Sequence, residues 1–444
     1  MNSTNFKKQP FYSSWIALIV FILLLVFQPA RLTFYALRPA DGWLMICLFS
    51  QFLYGYNIII PFRNRFLIKN YGLFIGILAI IATLIQASYA NLSLDISFVF
   101  AFYFFLRFLL IFKFVENILG IFNSDDAQKF WRVYTLMGFI VLILSYLEFN
   151  DIKAFKLLMV TLYYDSPAKT IEEYIFLEDR LAGVMGNPNS TAILLITTLP
   201  YPLLKIANKG SWLMERIIYG AYVLITAYVL VVMTGSRTAI FIALLMNVII
   251  LVAASRRFKD LLLVILITLL LATIGAYLYQ QFESKIIVQD RITKAIHGEE
   301  DFQLSAEGFG KWTGRYELWQ DRLNTFKREG NQLVILLGLG YTRAYEDFAD
   351  NGLLSAFINN GLIGLILKLF LFYIFLIFGF LRALRYYVHF KIDYTNLAFA
   401  LCAFALLLVE LTIDVTQHYK LGQFFYAFIS IVMIINGKLF STNS

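Results

Sequence analysis

The sequence predicts an all-α polytopic membrane protein of about twelve transmembrane helices. Three observations lead there. Hydrophobic residues make up 60% of the 444 and charged residues only 15%, where a soluble domain carries about 45–50% and 25%. Mean hydropathy is +0.72. The apolar residues also fall in runs near the length of a span, separated by short polar turns. A single integral membrane domain over 1–444 accounts for all three.

A helix needs roughly 20 apolar residues to cross the hydrocarbon core. In chain order the runs are 11–29, 42–60, 72–90, 96–114, 133–149, 189–207, 216–233, 238–254, 260–279, 361–381, 395–413 and 421–437. The first, around WIALIVFILLLVF, lacks a small-residue cleavage site and reads as a retained span. The seventh and eighth are parted only by the polar turn TGSR. Basic residues such as Lys7, Lys8, Arg63, Arg65, Arg256 and Arg257 collect in alternate loops, while the short loops opposite hold only Arg31, Arg38, Arg237 and Lys420. The positive-inside rule then puts both termini in the cytoplasm. Two long segments, 150–188 and 280–360, then fall on the outer side, where long loops cross regardless of charge. The larger lies between the ninth and tenth spans.

The net charge of +8 suits cytoplasmic loops and anionic lipid better than nucleic acid. The two cysteines, Cys47 and Cys402, lie inside apolar runs and suggest no disulfide or thiolate site. The three histidines, His297, His389 and His418, are scattered, and no metal-ligand spacing or cofactor motif is present. No internal repeat is evident, which weighs against a repeat-built transporter.

Within the larger loop, Trp312, Tyr316, Trp319, Leu323 and Phe326 fall on one helical stripe, with Arg315 and Arg322 beside it. Such a helix is expected to lie in the interface with its aromatic face down. Arg180 in EDRLAGVMGNPNS, Arg237 in MTGSRTAI and Arg315 in TGRYELW all fall on the predicted outer side. Glycine-, serine- and asparagine-rich turns expose backbone N–H groups to anions, and guanidinium forks fit phosphate oxygens. A diphosphate at the lipid surface would suit three such arginines, although each alone also reads as a headgroup contact. Charges within spans include Arg107, Lys368, Glu410 and, at an edge, Asp414. Lys368 and Glu410 read either as a structural pair across the tenth and eleventh spans or as part of a proton or substrate path. Asp350, just before the tenth span, reads either as a helix N-cap or as a general base.

The stretch DNGLLSAFINNGLIG resembles the signature of the O-antigen ligase and O-antigen polymerase superfamily. That signature is a His, then Asn, Ser or Gln, nine residues, Gly, two residues, and Gly, Thr or Tyr. Here the positions are Asp350, Asn351, Gly361 and Gly364, with Asp replacing the His. RLAGVMGNPNSTA, TGSRTA and GRYELWQ…LLGLGY resemble the segments that precede it, in the family's order. The likeness covers roughly 180–365.

The resemblance implies a GT-C-like, metal-independent membrane glycosyltransferase without cofactor. It would act on undecaprenyl-diphosphate-linked oligosaccharide at the periplasmic face of a bacterial inner membrane, with 150–188 and 280–360 as periplasmic loops capping the active site. Arg180, Arg237 and Arg315 would hold the diphosphate, Asp350 would be the base, Asn187 and Tyr316 would orient substrate, and Asn351 would orient a substrate or the loop. Asp in place of His points to a Wzy-type polymerase, working with membrane lipids and with a chain-length regulator as a possible partner. A ligase that moves polysaccharide to lipid A core, and a flippase of lipid-linked oligosaccharide, are the alternatives.

Overall fold

The computed structural model describes residues 14–28, 38–53, 96–119, 124–149, 153–163, 181, 183–208, 211–234, 236–254, 316–329, 332–338, 351–390, 394–412 and 419–441. Every regular element among them is helical. The helices are α1 (Trp15–Phe27), α2 (Pro39–Leu53), α3 (Ile96–Leu119), α4 (Ser124–Phe149), α5 (Lys153–Tyr163), α6 (Pro188–Thr198), α7 (Pro200–Ala207) and α8 (Leu213–Tyr228). They continue as α9 (Arg237–Ala254), α10 (Tyr316–Glu329), α11 (Gln332–Leu337), α12 (Gly352–Lys368), α13 (Phe375–Phe390), α14 (Tyr394–Glu410) and α15 (Tyr419–Ser441). Two π-helical turns, Val229–Thr234 and Leu369–Ile374, continue α8 and join α12 to α13.

Three stretches among the described residues are long and apolar enough to cross a membrane: Asp125–Phe149, Pro188–Ala207 and Leu213–Val231. The predicted spans 72–90 and 260–279 lie outside the described residues. Exposed faces are apolar: Met45, Ile46, Phe49 and Phe52 on α2, Leu136, Ile140 and Ile143 on α4, and Leu244, Val248 and Val252 on α9. In water such continuous patches would demand a partner; against lipid they need none. Several threonine hydroxyls turn inward and are satisfied locally. Thr135, Thr226 and Thr234 donate to carbonyls four residues back, and Thr197 and Thr198 to carbonyls three back. This back-bonding is how hydroxyls live inside membrane helices.

The tandem α6–α7 is the central element, with residues 190–205 all buried. Pro200 and Pro202 lack backbone N–H groups, so the helix is interrupted at Leu199 and restarts with Pro at N1. Around it the core is aromatic. Trp131 stacks on Tyr201 at 5.8 Å between centroids and meets Phe399 at 4.8 Å.

The two ends of the bundle differ. At one, Lys205 lies 3.4 Å from Glu215, and Arg132 lies 3.8 Å from the same carboxylate. The Lys205 ammonium also sits 5.0 Å from the Tyr394 ring centroid. The starts of α4, α8 and α14 therefore meet the end of α7. It follows that the ends of α4, α8 and α14 gather at the other end of the bundle, with the start of α6.

Among the described residues, Arg107, Lys368 and Glu410 are paired. Arg107 lies 3.4 Å from Asp41, whose carboxylate also accepts from the Gln423 amide at 3.1 Å and the Arg38 N–H at 3.1 Å. Lys368 is bonded to Glu410, which is the structural pair the sequence offered as one of two readings. Asp414 lies outside the described residues.

Candidate active site

At the end opposite Lys205, four loop segments converge on the helix termini. The first is the turn before α6. Asn187 is its N-cap, with Oδ1 accepting from the N–H groups of Asn189 at 2.8 Å and Ser190 at 3.4 Å, and Pro188 fills N1. The Asp/Asn cap and Pro at N1 are what a helix start favours. Behind this turn, the Gly183 N–H donates to Glu148 Oε2 at 3.0 Å, fixing the turn to the end of α4. Glu148 is 2% exposed. The sequence reading passed over it; the signal was an acid in the last turn of an otherwise apolar run.

The second segment is the turn between α8 and α9. The Leu181 N–H donates to the Met233 carbonyl at 3.1 Å. The chain leaving the predicted Arg180 segment is thereby tied to the π-helical turn that leads to Arg237. A π turn breaks the regular carbonyl ladder, and such turns are frequent at functional sites. Here one of the carbonyls in the turn accepts from another segment. Arg237 is the first residue of α9. Arg180, Arg315 and the side chains of Arg237 and Tyr316 lie outside the described residues.

The third segment is the start of α12. The predicted span began at 361, but the helix begins at Gly352, and its N-cap is Asn351. Asn351 Oδ1 accepts from the Leu353 and Leu354 N–H groups at 2.9 and 3.0 Å. Its Nδ2 donates to the Leu411 carbonyl at 2.7 Å. The cap position is thus filled by the residue after Asp350, and Asp350 itself lies outside the described residues.

α12 is not one straight helix. Gly361 has φ 64° and ψ −165°, a conformation open in practice only to glycine. In an unbroken helix Gly352 and Lys368 would be about 24 Å apart at 1.5 Å per residue. Instead, Lys368 Nζ donates to the Gly352 carbonyl at 2.8 Å. Residues 352–360 and 362–368 are therefore the two arms of a hairpin turned at Gly361. From Lys368 the chain descends along α14, where Phe380 stacks on Phe404 at 4.5 Å, so the hairpin lies toward the Glu410 end. Gly361→Ala is expected to strain this turn by about 1–3 kcal/mol. Thermal unfolding in detergent, read beside activity, measures it.

The fourth segment is the packing of the late loop. Phe326 of α10 is buried against Ile358, Val334, Leu354 and Phe357, with the Phe326 and Phe357 rings 4.8 Å apart. The predicted aromatic helix is present over Tyr316–Glu329. Its Phe326 end, however, packs on the hairpin rather than facing lipid, because the hairpin offers an apolar face that the sequence could not place.

Beneath the hairpin lies the buried ion pair. Glu410 is 0% and Lys368 9% exposed. Removing one partner of such a pair strands a charge and costs about 3–5 kcal/mol.

Residues 221–369 match the family model Wzy_C, O-antigen ligase. No curated protein matches the chain. The Wzy_C segment is less than half of the chain and runs from within α8 to the residue after Lys368. It therefore contains Arg237, Arg315, Asp350, Asn351 and the Gly361 turn. Glu148, Arg180, Asn187 and Glu410 lie outside it. The site end is thus built jointly: the Wzy_C segment supplies the hairpin and the α8–α9 turn, and flanking helices supply the groups that hold them.

Proposed function

We propose that the protein is a membrane glycosyltransferase that polymerises a surface polysaccharide of O-antigen type. The growing glycan leaves undecaprenyl diphosphate and joins the non-reducing end of the next lipid-linked repeat unit. The observation that carries this reading is the construction of the signature from Asn351 to Gly364. Its glycine takes a backbone shape that glycine alone tolerates, and its asparagine caps one arm of the resulting hairpin. The spacing of the motif thus has a physical reason, and the match to the Wzy_C family supports the same reaction class.

In the proposed reaction, Asp350 takes the proton of the acceptor hydroxyl as its oxygen attacks the anomeric carbon. The bond from that carbon to the diphosphate oxygen breaks, and the leaving diphosphate carries the charge away. Arg180, Arg237 and Arg315 neutralise it, the part a divalent cation plays elsewhere. Asn187 and Tyr316 orient substrate, and Asn351 fixes the start of α12. The site faces the periplasm, in an inner membrane, with both termini cytoplasmic; a chain-length regulator is a fitting partner.

A ligase would use the same donor and differ in acceptor. A strain lacking the protein separates the two: loss of a polymerase leaves single repeat units on the lipid A core, and loss of a ligase leaves none. Purified protein given its lipid-linked repeat unit is expected to yield a ladder on a gel. Transport without covalent product would instead favour a flippase. The ladder is expected to persist in excess EDTA, and a strict requirement for added Mg²⁺ or Mn²⁺ would overturn the arginine assignment.

A further inference from the structure

We infer that Lys368 and Glu410 form a positioning latch that sets where Asp350 stands, by tying both arms of the α12 hairpin to the end of α14. This rests on the reading of Asp350 as the base.

The bonds themselves carry the argument. Lys368 Nζ donates to Glu410 Oε1 and to the Gly352 carbonyl, the latter at 2.8 Å. One ammonium thus joins the second arm, the first arm and α14. Asn351 Nδ2 adds a second tie from the neighbouring residue to the Leu411 carbonyl at 2.7 Å. Residue 351 is therefore fastened to residue 411, and residue 352 through Lys368 to residue 410; Asp350 is the next residue in the sequence. Gly352 fits the arrangement. An added Cβ there would overlap the Glu410 carboxylate, so the glycine is what lets the carboxylate lie against the backbone of the first arm.

A buried charge pair is a poor choice if only stability is wanted. Apolar residues of similar volume often do as well or better. What an apolar pair cannot supply is direction: a bond to one particular carbonyl, two residues from Asp350. A base must sit within hydrogen-bond reach of its proton, and a displacement of about 1 Å at a reacting group can cost about a hundredfold in rate. The latch is thus a means of holding residue 350 in register with the acceptor hydroxyl while substrate binding stays with the arginines.

The test uses the purified full chain and its lipid-linked repeat unit. The double variant K368M/E410M removes both charges together, so no charge is stranded. It is expected to unfold in detergent within a few degrees of wild type, to keep KM within about twofold, and to lose at least about tenfold in kcat, the split expected of misplacement rather than lost binding. A folded double variant with wild-type kcat overturns the latch. Should that variant fail to fold, Gly352→Ala takes its place, since it pushes against Glu410 without removing a charge. A well-folded Gly352→Ala with unchanged kcat overturns the latch equally, and a selective fall in kcat supports it. If wild-type protein makes no polymer at all, the polymerase reading fails instead, so the two failures are told apart.

Discussion

Asp350→Asn is expected to abolish polymer formation while protein level and membrane insertion stay at those of wild type. Asn keeps the size and hydrogen-bonding shape of Asp and remains a good N-cap, so the substitution removes basicity and little else. Loss of a general base typically costs about 10²–10⁴-fold, which on a gel is loss of the ladder. The structure sharpens the experiment. The N-cap of α12 is Asn351, whose side chain accepts from Leu353 and Leu354. A cap at Asp350 is therefore not needed to start this helix, and a large effect of Asp350→Asn cannot be charged to helix unwinding. Long chains from the variant would mean that the base lies elsewhere.

The second large effect is expected at the arginines. Arg180→Ala, Arg237→Ala and Arg315→Ala should each lower kcat by about 10²–10³-fold, the usual cost of removing one donor from a developing anion. Lysine should rescue each of them poorly, because a point charge cannot replace a planar fork on two phosphate oxygens. The structure ties two of these segments together through the Leu181 N–H and the Met233 carbonyl. Arg180→Ala and Arg237→Ala are therefore the pair for a double variant, which should lose less than the sum of the singles if both grip one diphosphate. Assays of each variant in EDTA give the readout. Activity within a few fold of wild type at any of the three removes that residue from the site.

Much of the architecture could be read from residues alone, and particular cases show why. The TGSR turn between two predicted spans is found as a break between Thr234 and Arg237, because four polar residues cannot stay in lipid unpaired. The aromatic stripe gave the helix at Tyr316–Glu329, since 3.6-residue spacing is a local property. Two of the charges in apolar runs, Lys368 and Glu410, are bonded to each other, because a lone charge in a low-dielectric interior is too costly to keep.

Other features left no trace in the sequence. Hydropathy starts the tenth helix at Gly361, after the polar pair Asn359 and Asn360, and so misses the arm before it. Hydropathy is blind to a positive φ. Asp41 gave no signal of its own, yet it faces Arg107.

The class of protein, most of its helices and the family likeness follow from composition, periodicity and spacing along one chain. The hairpin shape of the signature, the cap at Asn351 rather than Asp350, and the meeting of Lys368, Glu410, Gly352 and Leu411 beneath it arise only from contacts across the fold. Those are contacts between residues up to 60 positions apart. They depend on how helices alternate between the two ends of the bundle, which no local pattern encodes.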